Sequence, residues 1–128
     1  MSADGPAAVF VYGTLMPGRL RWPLLELQAT GHRAAAVPGR LFDTGQGWPA
    51  ALFDADATTT VPGVLVELRP EWLADLLAEL DLVEGVDTGH YERVLVTTAD
   101  GAAAWAWSTL QDTSRFTPID AWTTLDER

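Results

Sequence analysis

The stretch that most constrains the fold reads Val9-Phe10-Val11-Tyr12-Gly13-Thr14-Leu15, an apolar run that ends abruptly at a glycine and a small hydroxyl residue. β-Branched and aromatic residues in an unbroken apolar run are typical of a buried strand, which we expect over residues 7 to 12. Gly13 has no Cβ to block a ligand, and the loop that follows exposes unpaired backbone N–H groups. The stretch therefore predicts a first strand followed by a loop that binds an anion.

The loop from Gly13 to Gly18 has other interpretations. Its two glycines have the spacing of a nucleotide phosphate loop, but Arg19-Leu20 stands where that loop requires Lys followed by Ser or Thr. The sequence therefore argues against a nucleotide phosphate loop. A plain turn without a ligand remains open from these residues alone.

Composition limits the class of protein. A chain of 128 residues that is 48% hydrophobic fits one compact domain, which we expect over residues 1–128. Residues 1–6 are expected to be flexible, and residues 111–128 follow no clear pattern. No internal repeat or low-complexity linker interrupts the sequence.

Several functional classes are disfavoured by composition. There is no cysteine, and the two histidines lack metal-ligand spacing, so we expect neither a metal nor another cofactor. A net charge of −10 disfavours nucleic acid and anionic membrane partners. The N-terminus has neither a basic segment nor a long apolar segment, so we expect a cytoplasmic protein.

The remaining pattern indicates an α+β fold with a curved or barrel-like sheet. A short helix is expected within residues 19–28, followed by strand segments over 32–37, 39–42, 50–54 and 61–68. A helix beginning at Pro70 has an apolar face of Trp72, Leu73, Leu76, Leu77 and Leu80. Residues 91–98 and 102–109 flank Ala99-Asp100-Gly101 and predict a β-hairpin.

Glu84 is the candidate catalytic residue. It follows the helix that begins at Pro70, where the helix dipole, nearby Asp81 and apolar neighbours would all raise its pKa. A carboxylate with a raised pKa suits a group that exchanges protons near neutral pH. The alternative is a solvated acid in a helix-terminal turn, which is the commoner situation for glutamate.

Tyr91 and Arg93 are two residues apart on a predicted strand, so their side chains should share one face. A core tyrosine beside an arginine at its rim explains this pair without any function. The six tryptophans are likewise expected in the core or in a pocket wall.

Read together in chain order, the motifs resemble the γ-glutamylcyclotransferase family, in particular its γ-glutamylamine cyclotransferase-like branch. The resemblance covers roughly residues 8–109. Its motifs are Val9-Phe10-Val11-Tyr12-Gly13-Thr14-Leu15, the segment 38–50 with Trp48-Pro49, Pro62-Gly63-Val64 through Leu68, Leu80-Asp81-Leu82-Val83-Glu84-Gly85, and Tyr91-Glu92-Arg93-Val94.

The resemblance implies a mixed β-barrel flanked by short helices, with a pocket where the Tyr12-to-Leu15 loop meets Glu84. It assigns Glu84 as general acid/base, and Gly13, Thr14 and Leu15 as backbone donors to the substrate. Tyr91 matches a family tyrosine near the site. One departure lies in residues 19–25, which lack the Asn or His often found after the turn.

The implied reaction cyclises a small-molecule γ-glutamyl substrate to 5-oxoproline and releases a free amine or amino acid, without a cofactor. One alternative is a non-catalytic member that binds a small carboxylate or another protein. Another is removal of a γ-glutamyl protecting group from a specialised metabolite. The sequence does not separate these alternatives.

Overall fold

The apolar run near the N-terminus forms strand β1, Ala8–Val11, inside a seven-stranded sheet. The protein is described by a computed structural model that covers residues 5–13, 15–19 and 21–122. Side chains alternate along β1, so that Val9 and Val11 pack against the helices while Phe10 packs on the opposite side, in the barrel interior. Both faces are buried, which explains why the run has no polar residue.

The sheet is mixed. Its further strands are β2 Ala29–Asp43, β3 Pro49–Phe53, β4 Thr60–Leu68, β5 Tyr91–Thr97, β6 Ala103–Thr109 and β7 Thr117–Ile119. The strand order is β3-β2-β4-β1-β6-β5, with β7 paired to β2. β1 is parallel to β6 and antiparallel to β4, and this mixture of directions was implied by the family resemblance.

The sheet curls into a nearly closed barrel because β2 is long enough to pair with two different strands along its length. Residues 29–38 pair with β4, and residues 39–43 pair with β3. On the other side, the amide of Phe53 on β3 donates to Ser108 Oγ on β6 at 3.3 Å. The sequence pattern predicted two strand segments here, and the structure joins them into one strand.

Two α-helices flank the barrel. Helix α1, Pro23–Glu26, is shorter than the expected residues 19–28, with its proline in the first turn as predicted. A 3₁₀ turn, Pro70–Trp72, leads into helix α2, Leu73–Val83. The apolar face of α2 is buried, but Trp72 is 58% exposed. The prediction that Trp72 lies on this apolar face was wrong, because Trp72 belongs to the turn that precedes the helix.

The hairpin predicted around Ala99-Asp100-Gly101 is confirmed by the pairing of β5 with β6. Within the unassigned C-terminal part, β7 pairs with β2 and Trp122 is buried in the barrel interior. The expected flexible start and unassigned end lie partly outside the described residues, at 1–4 and 123–128. Two further 3₁₀ turns cover Val86–Thr88 and Thr113–Arg115.

The α+β class with a barrel-like mixed sheet and short helices is thus confirmed. Within the described part of the chain, none of the helices has the length and apolar character needed to cross a membrane. The end of β1 and the end of α2 meet at one side of the barrel, and this meeting point positions the candidate site.

Candidate active site

A cavity of about 580 Å³ opens where β1 ends. This volume falls in the range of about 300–1,000 Å³ that is usual for small-molecule sites. The predicted residues Tyr12, Gly13, Leu15, Glu84 and Tyr91 all line the cavity, although they come from three separate parts of the chain. Thr14, the remaining predicted binding residue, lies outside the described residues.

Glu84 is held at the C-terminal end of α2. Its amide donates to the carbonyl oxygen of Leu80 at 2.8 Å, and Gly85 ends the helix in the left-handed conformation, with φ 82°. Burial raises the pKa of Glu84 to about 7, and the nearby charge of Arg21 opposes this rise. The carboxyl group therefore titrates near neutral pH.

The sequence argument attributed part of this pKa rise to Asp81, and the structure gives Asp81 another role. Its Oδ1 accepts a hydrogen bond of 2.9 Å from the Trp107 indole N–H. Arg93 Nε lies 3.0 Å from the same oxygen, as an ion pair without hydrogen-bond alignment. Desolvation by burial, and not the charge of Asp81, raises the pKa of Glu84.

Both tyrosines in the cavity donate their hydroxyl protons to backbone carbonyls. Tyr12 donates to Trp107 O at 2.6 Å, and Tyr91 donates to Pro49 O at 3.2 Å. Burial, followed by the charge of Glu84, raises the pKa of each hydroxyl. Glu84 is therefore close enough to act electrostatically on both rings.

These hydrogen bonds determine what the tyrosines offer a ligand. A phenol has one proton to donate, and its oxygen also accepts hydrogen bonds. The protons are directed at Trp107 O and Pro49 O, and each oxygen already accepts a hydrogen bond, from the Ala51 backbone at Tyr12 and from Trp48 at Tyr91. The tyrosines are therefore committed to the cavity wall, and the carboxylate of Glu84 is the group beside them that suits a ligand rich in N–H donors, such as an ammonium.

Gly13 packs tightly against the start of β3. A Cβ at this position would lie 2.8 Å from Pro49 Cγ, closer than such atoms normally approach. The carbonyl of Gly13 accepts from the Met16 amide at 3.1 Å, which forms a turn. The amides of Gly13 and Leu15 have no acceptor among the described residues.

Among the cavity residues that sequence reasoning did not name as site candidates, two make specific contacts there. Arg21 follows the turn after β1, and its Nη1 donates to the Val83 carbonyl at 3.3 Å. Trp48 lies in the loop before β3, and its side chain donates a hydrogen bond to Tyr91 that partly opposes the rise of the Tyr91 pKa caused by burial. Arg21 lies in residues 19–25, the segment that lacks the Asn or His often found in the family. This difference was the signal in the sequence that could have indicated Arg21.

Arg93 shares the sheet face of Tyr91, as the two-residue spacing predicted, but it is not among the described residues that line the cavity. Its guanidinium lies 4.9 Å from the Trp105 ring centroid and pairs with Asp81. Trp48 and Trp107 form part of the cavity wall, as expected for tryptophans of this chain.

A family model described as gamma-glutamyl cyclotransferase, AIG2-like, matches residues 9–123. The match extends over most of the chain and includes every segment that lines the cavity. The chain therefore belongs to the AIG2-like gamma-glutamyl cyclotransferase family. A comparison with curated protein sequences found no match.

Solved structures share the fold. An uncharacterised protein from Pyrococcus horikoshii is 21% identical, with a TM-score of 0.64 and coverage of 89% of this chain and 86% of that one. An AIG2-like protein from Mus musculus is 15% identical, with a TM-score of 0.64 and coverage of 91% and 88%. YkqA from Bacillus subtilis is 25% identical, with a TM-score of 0.64 and coverage of 92% and 40%.

Proposed function

We propose that this protein cyclises γ-glutamyl amides to 5-oxoproline, with Glu84 as the proton carrier. The observation that carries the proposal is the position of Glu84, partly buried at the end of α2, in a cavity shared with the Gly13-to-Leu15 loop. The family match is in keeping with this reaction.

The substrate supplies its own nucleophile. The α-amino nitrogen attacks the γ-carbonyl carbon, a new C–N bond closes the five-membered lactam, and the original amide C–N bond breaks. Between ammonium and lactam N–H the α-nitrogen loses two protons, one before and one after the attack. Glu84 accepts each in turn and passes it to the departing nitrogen, which leaves as an ammonium ion. No oxidant, metal or covalent enzyme intermediate is needed for this balance.

Positioning supplies most of the proposed rate enhancement. In our proposal, the amides of Gly13, Thr14 and Leu15 bind the substrate α-carboxylate, and the carboxylate of Glu84 accepts from the α-ammonium. Folding the glutamyl chain between these two groups brings amine and carbonyl together. Such intramolecular alignment contributes about 7–11 kcal/mol in favourable cases.

The protonation state of Glu84 fits both halves of the reaction. A carboxyl pKa of about 7 places the acid and the base forms at similar populations near neutral pH. The base form accepts the ammonium proton and the acid form protonates the leaving nitrogen. We expect kcat/KM to fall as the pH drops below about 7, because the base form of Glu84 is then lost.

The test is to incubate the protein with γ-glutamyl amines, γ-glutamyl dipeptides and glutathione and to measure 5-oxoproline. Glu84→Gln should reduce the rate by about 10²–10⁴-fold, since it preserves shape and removes basicity. Glu79→Gln is the matched control, because Glu79 is an exposed glutamate of the same helix. A folded Glu84→Gln variant with the parental rate would exclude Glu84 as proton carrier.

The binding step is measured separately by following backbone amide resonances during addition of 5-oxoproline. We expect the largest shifts at Gly13 and Leu15. Saturable binding there, with no product from any substrate, would instead support the non-catalytic carboxylate-binding alternative.

A further inference from the structure

Arg21 is a charged residue in the cavity lining that has no role in the proposed reaction. Its side chain is exposed, lies in the cavity lining and reaches the end of α2, where Nη1 donates to Val83 O at 3.3 Å. A guanidinium has five N–H donors, and this contact uses one of them. Arg21 therefore has donor capacity for a second acceptor.

The charge of the cavity differs from that of the whole chain. The chain has a net charge of −10, yet among the described residues that line the cavity Glu84 is the one acid. Arg21 is the one arginine, and His90 lies in the same lining. A ligand in this cavity thus meets a permanent positive charge that the overall composition does not reveal.

The position of Arg21 relative to Glu84 determines which part of the substrate it would meet. Arg21 is the charged residue that acts on Glu84, and it contacts the residue immediately before Glu84. Because Glu84 protonates the leaving nitrogen in the proposed reaction, substituents on that nitrogen lie beside Glu84 and hence close to Arg21.

We propose that Arg21 binds a carboxylate on the leaving group, so that the preferred substrates are γ-glutamyl amino acids or peptides rather than γ-glutamyl amines. This inference rests on the proposed function. Arginine suits the task because its planar fork of donors matches the two oxygens of a carboxylate. A cationic amine at the same place would be repelled.

A purely structural role for Arg21 makes a different prediction. A cation at the C-terminal end of a helix stabilises the helix through its dipole. In that case Arg21→Gln would lower stability and would affect all substrates equally. The ratio of kcat/KM between substrates therefore separates the two roles.

The experiment compares γ-glutamyl-L-alanine with γ-glutamylethylamide, which differ only in the carboxylate on the leaving group. We expect the wild type to favour the alanine compound by about 10- to 100-fold in kcat/KM, as for one charge-assisted hydrogen-bonded contact. Arg21→Gln should bring this ratio close to one, mainly by slowing the alanine compound. Arg40→Gln, at an exposed arginine of β2, should leave the ratio unchanged.

A third substrate, mono-γ-glutamyl-1,2-diaminoethane, places a cation where alanine has its carboxylate. It should be the poorest substrate of the wild type and should improve in Arg21→Gln. Equal or better turnover of the ethylamide by the wild type, with no change in the ratio on Arg21→Gln, would overturn the inference while leaving the cyclotransferase proposal intact.

Binding to the Glu84→Gln variant gives a readout that does not require turnover. We expect this variant to bind γ-glutamyl-L-alanine more tightly than the ethylamide, and we expect the added Arg21→Gln change to remove that difference. Equal affinities in the presence of Arg21 would contradict the inference. Absence of 5-oxoproline from all three substrates with the wild type would overturn the proposed function and the inference together.

Discussion

The hydroxyl of Tyr91 donates to the carbonyl oxygen of Pro49 across 3.2 Å, although the two residues are 42 positions apart in the chain. The ring of the same proline lies against Gly13, whose missing side chain makes room for it. Pro49 thus connects strand β5 with the loop after β1. The cavity wall depends on this connection, because Gly13, Pro49 and Tyr91 all line it.

Replacing Tyr91 with Phe tests this connection. The variant retains the ring and loses the hydrogen bond to Pro49 O, so we expect the free energy of unfolding to fall by about 0.5–1.5 kcal/mol. We also expect kcat/KM to fall severalfold, because the cavity wall beside Glu84 loses its hydrogen bond to Pro49. Urea unfolding and steady-state kinetics measure the two effects. Lower stability with unchanged kcat/KM would make the hydroxyl structural only.

Gly13→Ala should destabilise the protein by about 1–3 kcal/mol, because the new Cβ would lie 2.8 Å from Pro49 Cγ. When Pro49 is already replaced by Ala, the same Gly13→Ala change should cost much less, because the proline ring atoms near the new Cβ are absent. Activity should fall less in Thr14→Ala than in Gly13→Ala, since the proposed substrate contact uses the backbone. If the double variant loses as much free energy of unfolding as the two single variants together, contact with Pro49 is not the reason that position 13 requires glycine.

Asp81→Ala should lower the free energy of unfolding by about 1.5–3 kcal/mol, because it removes a charged acceptor from the Trp107 indole N–H. Asp81→Asn should cost less, since its amide oxygen still accepts that hydrogen bond. Urea unfolding of both variants measures the difference. Equal losses would indicate that the ion pair with Arg93, and not the indole hydrogen bond, carries the stabilisation.

Glu84 should make stability depend on pH. The native state raises its pKa from 4.5 to about 7, so between these values the native state binds more protons than the unfolded state. The free energy of unfolding therefore falls as the pH rises through this window. Relative to the wild type, Glu84→Gln should be more stable by up to about 3 kcal/mol at pH 8, with little difference at pH 4.

Unfolding in urea at pH values from 4 to 8 checks this expectation. Glu79→Gln provides the reference for an exposed glutamate of the same helix and should show no comparable trend. A pH-independent difference between the wild type and Glu84→Gln would mean that burial does not perturb this carboxyl group.

Local patterns predicted the elements that carry the site. The apolar run before Gly13 predicted β1, the leucine spacing predicted α2, and Glu84 was correctly placed just after that helix. These features depend on neighbouring residues along the chain, which share one strand or one helix. The same patterns failed where an element boundary depends on distant partners, as for Trp72 and for β2, which continues through Gly39 because β4 and β3 pair with its two halves.

The sequence by itself determined the α+β class, the central strand, the hairpin and a glutamate at a helix end, because each follows from short-range periodicity and turn chemistry. Local patterns did not bring Glu84 and Gly13 together, which only the family resemblance implied, and tertiary structure alone decided that Arg21 reaches the end of α2 and that both tyrosine protons go to backbone carbonyls. The physical reason is that these contacts depend on strand register and barrel closure between residues many positions apart, which no local pattern specifies.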